Sequence, residues 1–167
     1  MLLQSVTRQA SIELLTRTKF GRLACASEGQ PYVTPLAFLY DSDWLYSVST
    51  VGQKIAWMRA NPLVCVEVDE IFSRQNWASV IVLGRYEELP DTPAHSAVRR
   101  HAYDLMRKTP LWWEPAYVKP PDEHALEIMY FRIHVDQISG RRAASELPKD
   151  DKVSWLKKLF GRSERRD

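Results

Sequence analysis

The chain has 167 residues, 45% hydrophobic and 26% charged, with a formal net charge of +2. That size and balance fit one globular domain with its own core and exclude a disordered, collagenous or disulfide-rich secreted chain. Met1-Leu2-Leu3-Gln4 shows no signal-peptide pattern and no apolar run reaches the ~18–20 residues of a membrane span, so a cytoplasmic protein is expected.

In chain order, Ser11 ahead of Ile12-Glu13-Leu14-Leu15, with Gly21 beyond, predicts a short N-terminal helix. Arg22 to Ser27 reads as a strand, Glu28-Gly29-Gln30-Pro31 as a turn, and Tyr32 to Tyr40 as a second strand, where Pro35 argues for an edge or a bulge. Asp41-Ser42-Asp43 turns into a third strand, Trp44 to Val48. A helix after Lys54 carries Ile55 and Met58 on one face and stops at Asn61-Pro62. Thr50 and Gln53 have capping-box spacing, with Thr50 as expected N-cap. Leu63 to Glu70 is a fourth strand and Ser79 to Leu89 a fifth, apolar on both faces at Val80-Ile81-Val82-Leu83 and therefore central. Thr92-Pro93 opens a helix to about Lys108, residues 109–123 read as irregular, and Leu126 to Ile138 is the last strand. Short strands joined by tight turns predict a mainly β protein, a small antiparallel barrel.

Residues 1–140 form the expected domain and 141–167 a tail. The tail holds nine Lys/Arg against five Asp/Glu, so the positive charge lies there and nothing in the body points to nucleic acid. Trp155, Leu156, Leu159 and Phe160 share a helical face flanked by Lys157 and Lys158. So small a basic helix is expected to fold back or fray rather than anchor to a membrane.

The stretch Ser47 to Val66 carries the clearest chemical signal. It places Ser47, Ser49, Thr50 and Lys54 beside a helix start, where free N–H groups and the helix dipole favour an anion, most often a phosphate. The plain alternative is a solvated lysine among ordinary strand and cap hydroxyls. Arg59 reads as a surface residue. Trp77 and Ser79 precede the central strand, where a tryptophan usually packs. Trp112-Trp113 is either a pinned surface loop or an aromatic wall for a flat ligand. Cys25 and Cys65 read as buried free thiols, and no metal site is expected because His95, His101, His124 and His134 lack ligand spacing.

The order Gly21-Arg22-Leu23-Ala24, Gly29-Gln30-Pro31-Tyr32-Val33-Thr34-Pro35, Leu45-Tyr46-Ser47, Gly52-Gln53-Lys54, Asn61-Pro62-Leu63-Val64-Cys65-Val66, Trp77-Ala78-Ser79-Val80 and Gly84-Arg85-Tyr86-Glu87-Glu88-Leu89 resembles the pyridoxamine 5′-phosphate oxidase-like FMN-binding split-barrel proteins. The likeness is greatest to the branch of nitroimidazole-resistance-type proteins. The resemblance implies a six-stranded antiparallel split β-barrel that forms a homodimer, with FMN in a cleft between subunits. It implies that Val33, Thr34 and Pro35 line the flavin ring or ribityl chain, that Ser47, Ser49, Thr50 and Lys54 sit at the phosphate end, and that Trp77 and Ser79 approach the ring. Val48 stands where that branch has a histidine. Gln53 replaces the arginine of the true oxidases, and Ile138 to Pro148 does not reproduce their Arg-Leu-x-x-Pro segment, which argues against vitamin B6 oxidation. An FMN-dependent oxidoreductase of unassigned substrate and catalytic residues is expected. Its rivals are a related barrel using a deazaflavin and a non-catalytic flavin or haem binder, store or sensor, whose axial ligand one of the four histidines would supply.

Overall fold

The computed structural model describes residues 2–108 and 128–144. Strands dominate: β1 (Leu2–Val6), β2 (Phe20–Ser27), β3 (Gln30–Ala37), β4 (Leu39–Asp41), β5 (Trp44–Thr50), β6 (Leu63–Ser73), β7 (Asn76–Glu88) and β8 (Ile128–Ala144). The helices are α1 (Arg8–Thr18), α2 (Gln53–Ala60) and α3 (Ser96–Arg107), the last preceded by a 3-10 turn at Pro93–His95. The strands form one antiparallel sheet in the order β3-β2-β6-β7-β8-β5-β4, with β1 added on β8. The mainly β, antiparallel split-barrel class expected from the sequence is therefore present, with eight strands rather than six among the described residues. β1 was not anticipated, and the expected strand 32–40 is two strands, because the Phe38 amide leaves the ladder to bond the Lys19 carbonyl at 3.0 Å.

β8 organises the sheet. One edge pairs with β7 along most of its length, while the other takes β5 at 128–134 and β1 at 140–144. Its seventeen residues run through Ala144, past the expected end at Ile138 and past Gly140. One extra residue, Asp136, makes a bulge where the register shifts between Leu83 and Gly84. The tail helix, Trp112-Trp113 and His124 lie outside the described residues.

Strand alternation puts Leu23, Val66, Val68, Val80, Val82, Leu45, Phe131 and Ile133 on the inner face, where they form the core with Leu14 and Leu15 of α1 and Ile55 and Met58 of α2. A smaller cluster, Leu39, Tyr46, Leu89, Ala102 and Met106, seats α3 outside β5. β3 has one sheet neighbour, so Pro35 lies on an edge strand, where its missing N–H costs no ladder bond.

Helix ends differ from expectation. Thr7, not Ser11, caps α1, its hydroxyl accepting from the Ala10 amide at 3.3 Å. Ser11 is buried inside the helix and donates to the Thr7 carbonyl at 3.0 Å. Lys19 closes α1 in the left-handed region at φ 55°, leaving Gly21 within β2. Thr50 is not the cap of α2: pairing with Ile128 holds it in β5, and extended Gly52 takes the N-cap position without a side-chain hydrogen bond.

Candidate functional site

α2 starts with an incomplete set of partners. Its Ala56 amide bonds the Gly52 carbonyl at 3.0 Å, so the amides of Gln53, Lys54 and Ile55 precede the first bond of the helix. Gly52, at the N-cap, has no side chain to cap them. Lys54 is half-buried there, and burial lowers its pKa from the ordinary lysine value. No hydrogen bond or ion pair reaches its ammonium among the described residues. A desolvated cation beside free amides at the positive end of a helix is unfavourable alone and becomes favourable with an anion between them.

The expected hydroxyl donors are differently placed. Ser47 and Ser49 face inward and are buried; Ser47 Oγ donates to the Ala37 carbonyl at 2.7 Å and Ser49 Oγ to the Thr50 carbonyl at 3.0 Å. Each hydroxyl proton is already used, so these residues brace β5 and turn toward an anion only by giving up those bonds. Arg59 lies on the surface, as expected, in a two-point contact with Glu88 at 2.5 and 3.2 Å. The arginine, with the Tyr86 hydroxyl, holds the Glu88 carboxyl below its usual range, while burial raises Tyr86.

Val33 and Pro35 point outward from β3, and Thr34 inward toward Leu23. Val33 stands in a cross-strand row with Ala24, Cys65 and Leu83, and Pro35 in the next row with Arg22, Glu67 and Ile81. Trp77 and Ser79 are on the same outer face of β7, four and two residues before Ile81. The edge-on contact of Tyr32 with Trp57, 5.5 Å between centroids, joins β3 to α2. That contact is made from the inner face of β3, opposite to Val33 and Pro35. Trp77 and Ser79 are distant from the start of α2: Thr50, at the β5 end leading into it, faces Ile128, whereas Ser79 faces Arg141, about 40 Å further along β8 at ~3.3 Å per residue. Within one chain Val33, Pro35, Ser79 and Trp77 thus belong to successive rows of one outer face, while the β5 end that leads to Lys54 lies far from Ser79 along β8.

A cleft of about 300 Å³ opens on the outer face beside the Asp136 bulge, lined by Trp44, Arg85, Tyr86, Glu87, His134 and Asp136. His134 Nδ1 lies 2.6 Å from Asp136, whose other oxygen accepts from Arg85 at 3.2 Å. The His134 hydrogen bond, aided by Arg85, keeps the Asp136 carboxyl below its usual range. Arg132 stacks 3.6 Å over the Trp44 ring and bonds Glu87 at 3.0 and 3.1 Å. No sequence motif pointed to this cleft, because a bulge assembles it from residues of three strands.

Among the described histidines, His95 bonds Thr92, His101 bonds Asp41 and His134 bonds Asp136. The described residues contain no group of three or more His, Cys, Asp or Glu able to hold a metal ion, and no helix long and apolar enough to cross a membrane. Cys25 and Cys65 are free thiols, raised in pKa by burial; Cys25 is inside and Cys65 half-buried on the outer face.

Comparison with known proteins agrees with this architecture. The chain is 36% identical over 148 residues to an uncharacterized protein of Rhizobium meliloti (strain 1021), covering 87% of this chain and 98% of that one. It is similar to the crystal structure of a FAD-binding protein from Mesorhizobium loti, at 43% identity and TM-score 0.71, covering 87% of this chain and 99% of that chain. A candidate 5-nitroimidazole antibiotic resistance protein from Bacteroides thetaiotaomicron shares the fold, at 21% identity and TM-score 0.61 over 85% of this chain and 89% of that chain. A family model described as pyridoxamine 5′-phosphate oxidase matches residues 7–142, most of the chain, and the chain belongs to that family.

Proposed function

We propose that the protein is a homodimeric flavoprotein that holds FMN by its phosphate at the start of α2 and works as an oxidoreductase on a small molecule. The half-buried ammonium of Lys54, without a partner among the described residues and beside three amides that precede the first helical bond, carries this reading. A bound flavin would supply the electron transfer. The chain binds the phosphate with Lys54 and the α2 amides, and offers Val33 and Pro35 as outer-face walls. Two copies make the site: one ligand meets Lys54 and Trp77 together only if each comes from a different protomer, since one chain separates them. The outer face supports the pairing. Val33, Leu63 and Leu83 are 62, 61 and 45% exposed there, too much clustered apolar surface for a face left to water.

The absorption spectrum of purified protein, reconstituted with FMN, tests the cofactor. A flavin spectrum is expected, and a Soret band alone would overturn the reading in favour of haem. Lys54→Ala should weaken FMN roughly ten- to a hundredfold, the loss of one charge-assisted bond of about 1.5–3 kcal/mol, and leave riboflavin unaffected. Equal losses for both ligands would remove the phosphate from Lys54. Bleaching by NADH or NADPH separates an enzyme from a flavin store or sensor. FAD is a second reading, favoured by the FAD-binding relative at 43% identity. It requires FAD to compete with FMN at equal or higher affinity.

A further inference from the structure

We propose that Arg141 supplies the positive charge that stabilises the reduced, anionic flavin lying against Trp77 and Ser79. The inference rests on the flavin reading above and adds a residue that the sequence left in the tail. Arg141 belongs to the sheet: it faces Ser79 across β7 and Ser5 across β1, giving the cross-strand row Ser5–Arg141–Ser79–Asp69. Directly opposite residues of an antiparallel pair project to the same face. The next outward row is Leu3–Ala143–Trp77–Ile71, apolar throughout, with Leu3 59% and Ile71 71% exposed. An aromatic and aliphatic ledge thus runs beside a polar row on one outer face, the arrangement a flat ring with one polar edge requires.

The charges in the polar row leave one cation available. Asp69 is engaged by Arg22, which also bonds Glu67 at 3.0 Å. Arg141 is exposed, and its one hydrogen bond among the described residues goes to a neutral acceptor, the Ser5 hydroxyl. No carboxylate pairs with it there. Four of its five N–H donors remain for a ligand. Lys54, by contrast, is at the other end of the sheet and serves the phosphate.

Two-electron reduction of a flavin with uptake of one proton leaves a negative charge on its pyrimidine edge. A guanidinium held against that edge favours the reduced form over the oxidised one and raises the midpoint potential. Ser5 on β1 fixes the guanidinium, so the N-terminal strand, which enters no other part of the site, acquires a role as the support of Arg141.

The test is an anaerobic potentiometric titration of the FMN-loaded full chain, with dithionite as reductant, on wild type, Arg141→Gln, Arg141→Lys and the surface control Arg100→Gln. In Arg141→Gln, oxidised FMN should bind within about threefold of wild type, while the reduced flavin loses about tenfold more affinity than the oxidised form does. That ratio lowers the midpoint by about 30 mV for a two-electron couple. Arg141→Lys should keep most of the wild-type potential and Arg100→Gln all of it. The dependence of the potential on pH should move in Arg141→Gln from a one-proton toward a two-proton couple, a change that mere loosening of the strand would not produce. An unchanged potential in an Arg141→Gln protein that still holds FMN overturns the inference and leaves the flavin reading standing. A wild-type chain that holds no flavin overturns both, before any variant is made.

Discussion

Lys54 shows how one side chain reports what its surroundings lack. Its folded-state pKa is depressed by burial, with no opposite charge among the described residues to offset the desolvation. The protonated form is therefore less welcome folded than unfolded. This cost is fully present below the folded pKa and vanishes above the unfolded lysine value of about 10.4. Lys54→Met should accordingly raise the melting temperature of the flavin-free protein at pH 7, with the gain shrinking as the pH approaches about 10.5. Saturating FMN should reverse the order, because only the wild type gains the phosphate contact. Thermal unfolding of both proteins at two pH values, with and without FMN, measures this. A variant less stable than wild type without flavin would mean that the ammonium already has a partner.

At the scale of the element, close approach explains several boundaries that local patterning misplaces. Gly84 lies on the β7 side of the bulge, where an added Cβ would come within 2.2 Å of the His134 carbonyl and 2.8 Å of Ile133 Cγ2. Both atoms belong to the adjoining β8, so Gly84→Ala should destabilise by about 1–3 kcal/mol through overpacking. Urea unfolding should show a lower midpoint at constant slope, and an unchanged midpoint would mean that the Asp136 bulge absorbs the methyl group. Gly140 teaches the same lesson about legibility. In the sequence, Gly140-Arg141-Arg142 resembles the end of a strand and the start of a basic tail. In the fold, the glycine lets β8 continue beneath α1, with Ser11 Oγ 2.7 Å and Val6 Cβ 2.8 Å from where a Cβ would be. The glycine marks a crossing, and that distinction lies in tertiary contacts that no local window contains. β1 went unseen for a related reason: Leu2–Val6 has no turn beside it and gains its meaning only from β8. Apart from the break between β3 and β4, the strand, turn and helix order from Phe20 to Glu88 was readable because there the apolar periods coincide with single elements. The placement of Lys54 in the first turn of a helix was readable because that pattern is local, whereas the Ser47 bond to Ala37 and the Arg141–Ser79 register join separate strands and were not.

The two apolar faces of β7 link the element to the whole molecule. Val80 and Val82 fill the core, while Ile81 and Leu83 line an outer face that includes Val33, Ala24, Cys65 and Leu63. The sequence reads that doubly apolar run as a central strand. Its central position accounts for only one face in a single chain, and a second copy would account for the other. Sedimentation at low micromolar concentration should give about twice the 19.4 kDa chain mass. Leu83→Lys, which places a charge in the middle of that face, should yield monomers, and with them a loss of FMN. A monomeric wild type that holds FMN would overturn the shared site. Mixing defective chains tests the geometry more sharply. On the proposed reading Lys54→Ala would remove the phosphate end and Trp77→Ala the ring end, so either homodimer alone should bind FMN poorly. If each site draws Lys54 from one protomer and Trp77 from the other, a mixed dimer holds one site with both defects and one with neither. Co-refolding the two variants should then restore tight FMN binding, at up to one flavin per mixed dimer. If both residues serve a site within one chain, every site in every mixed dimer carries one defect, and mixing restores nothing.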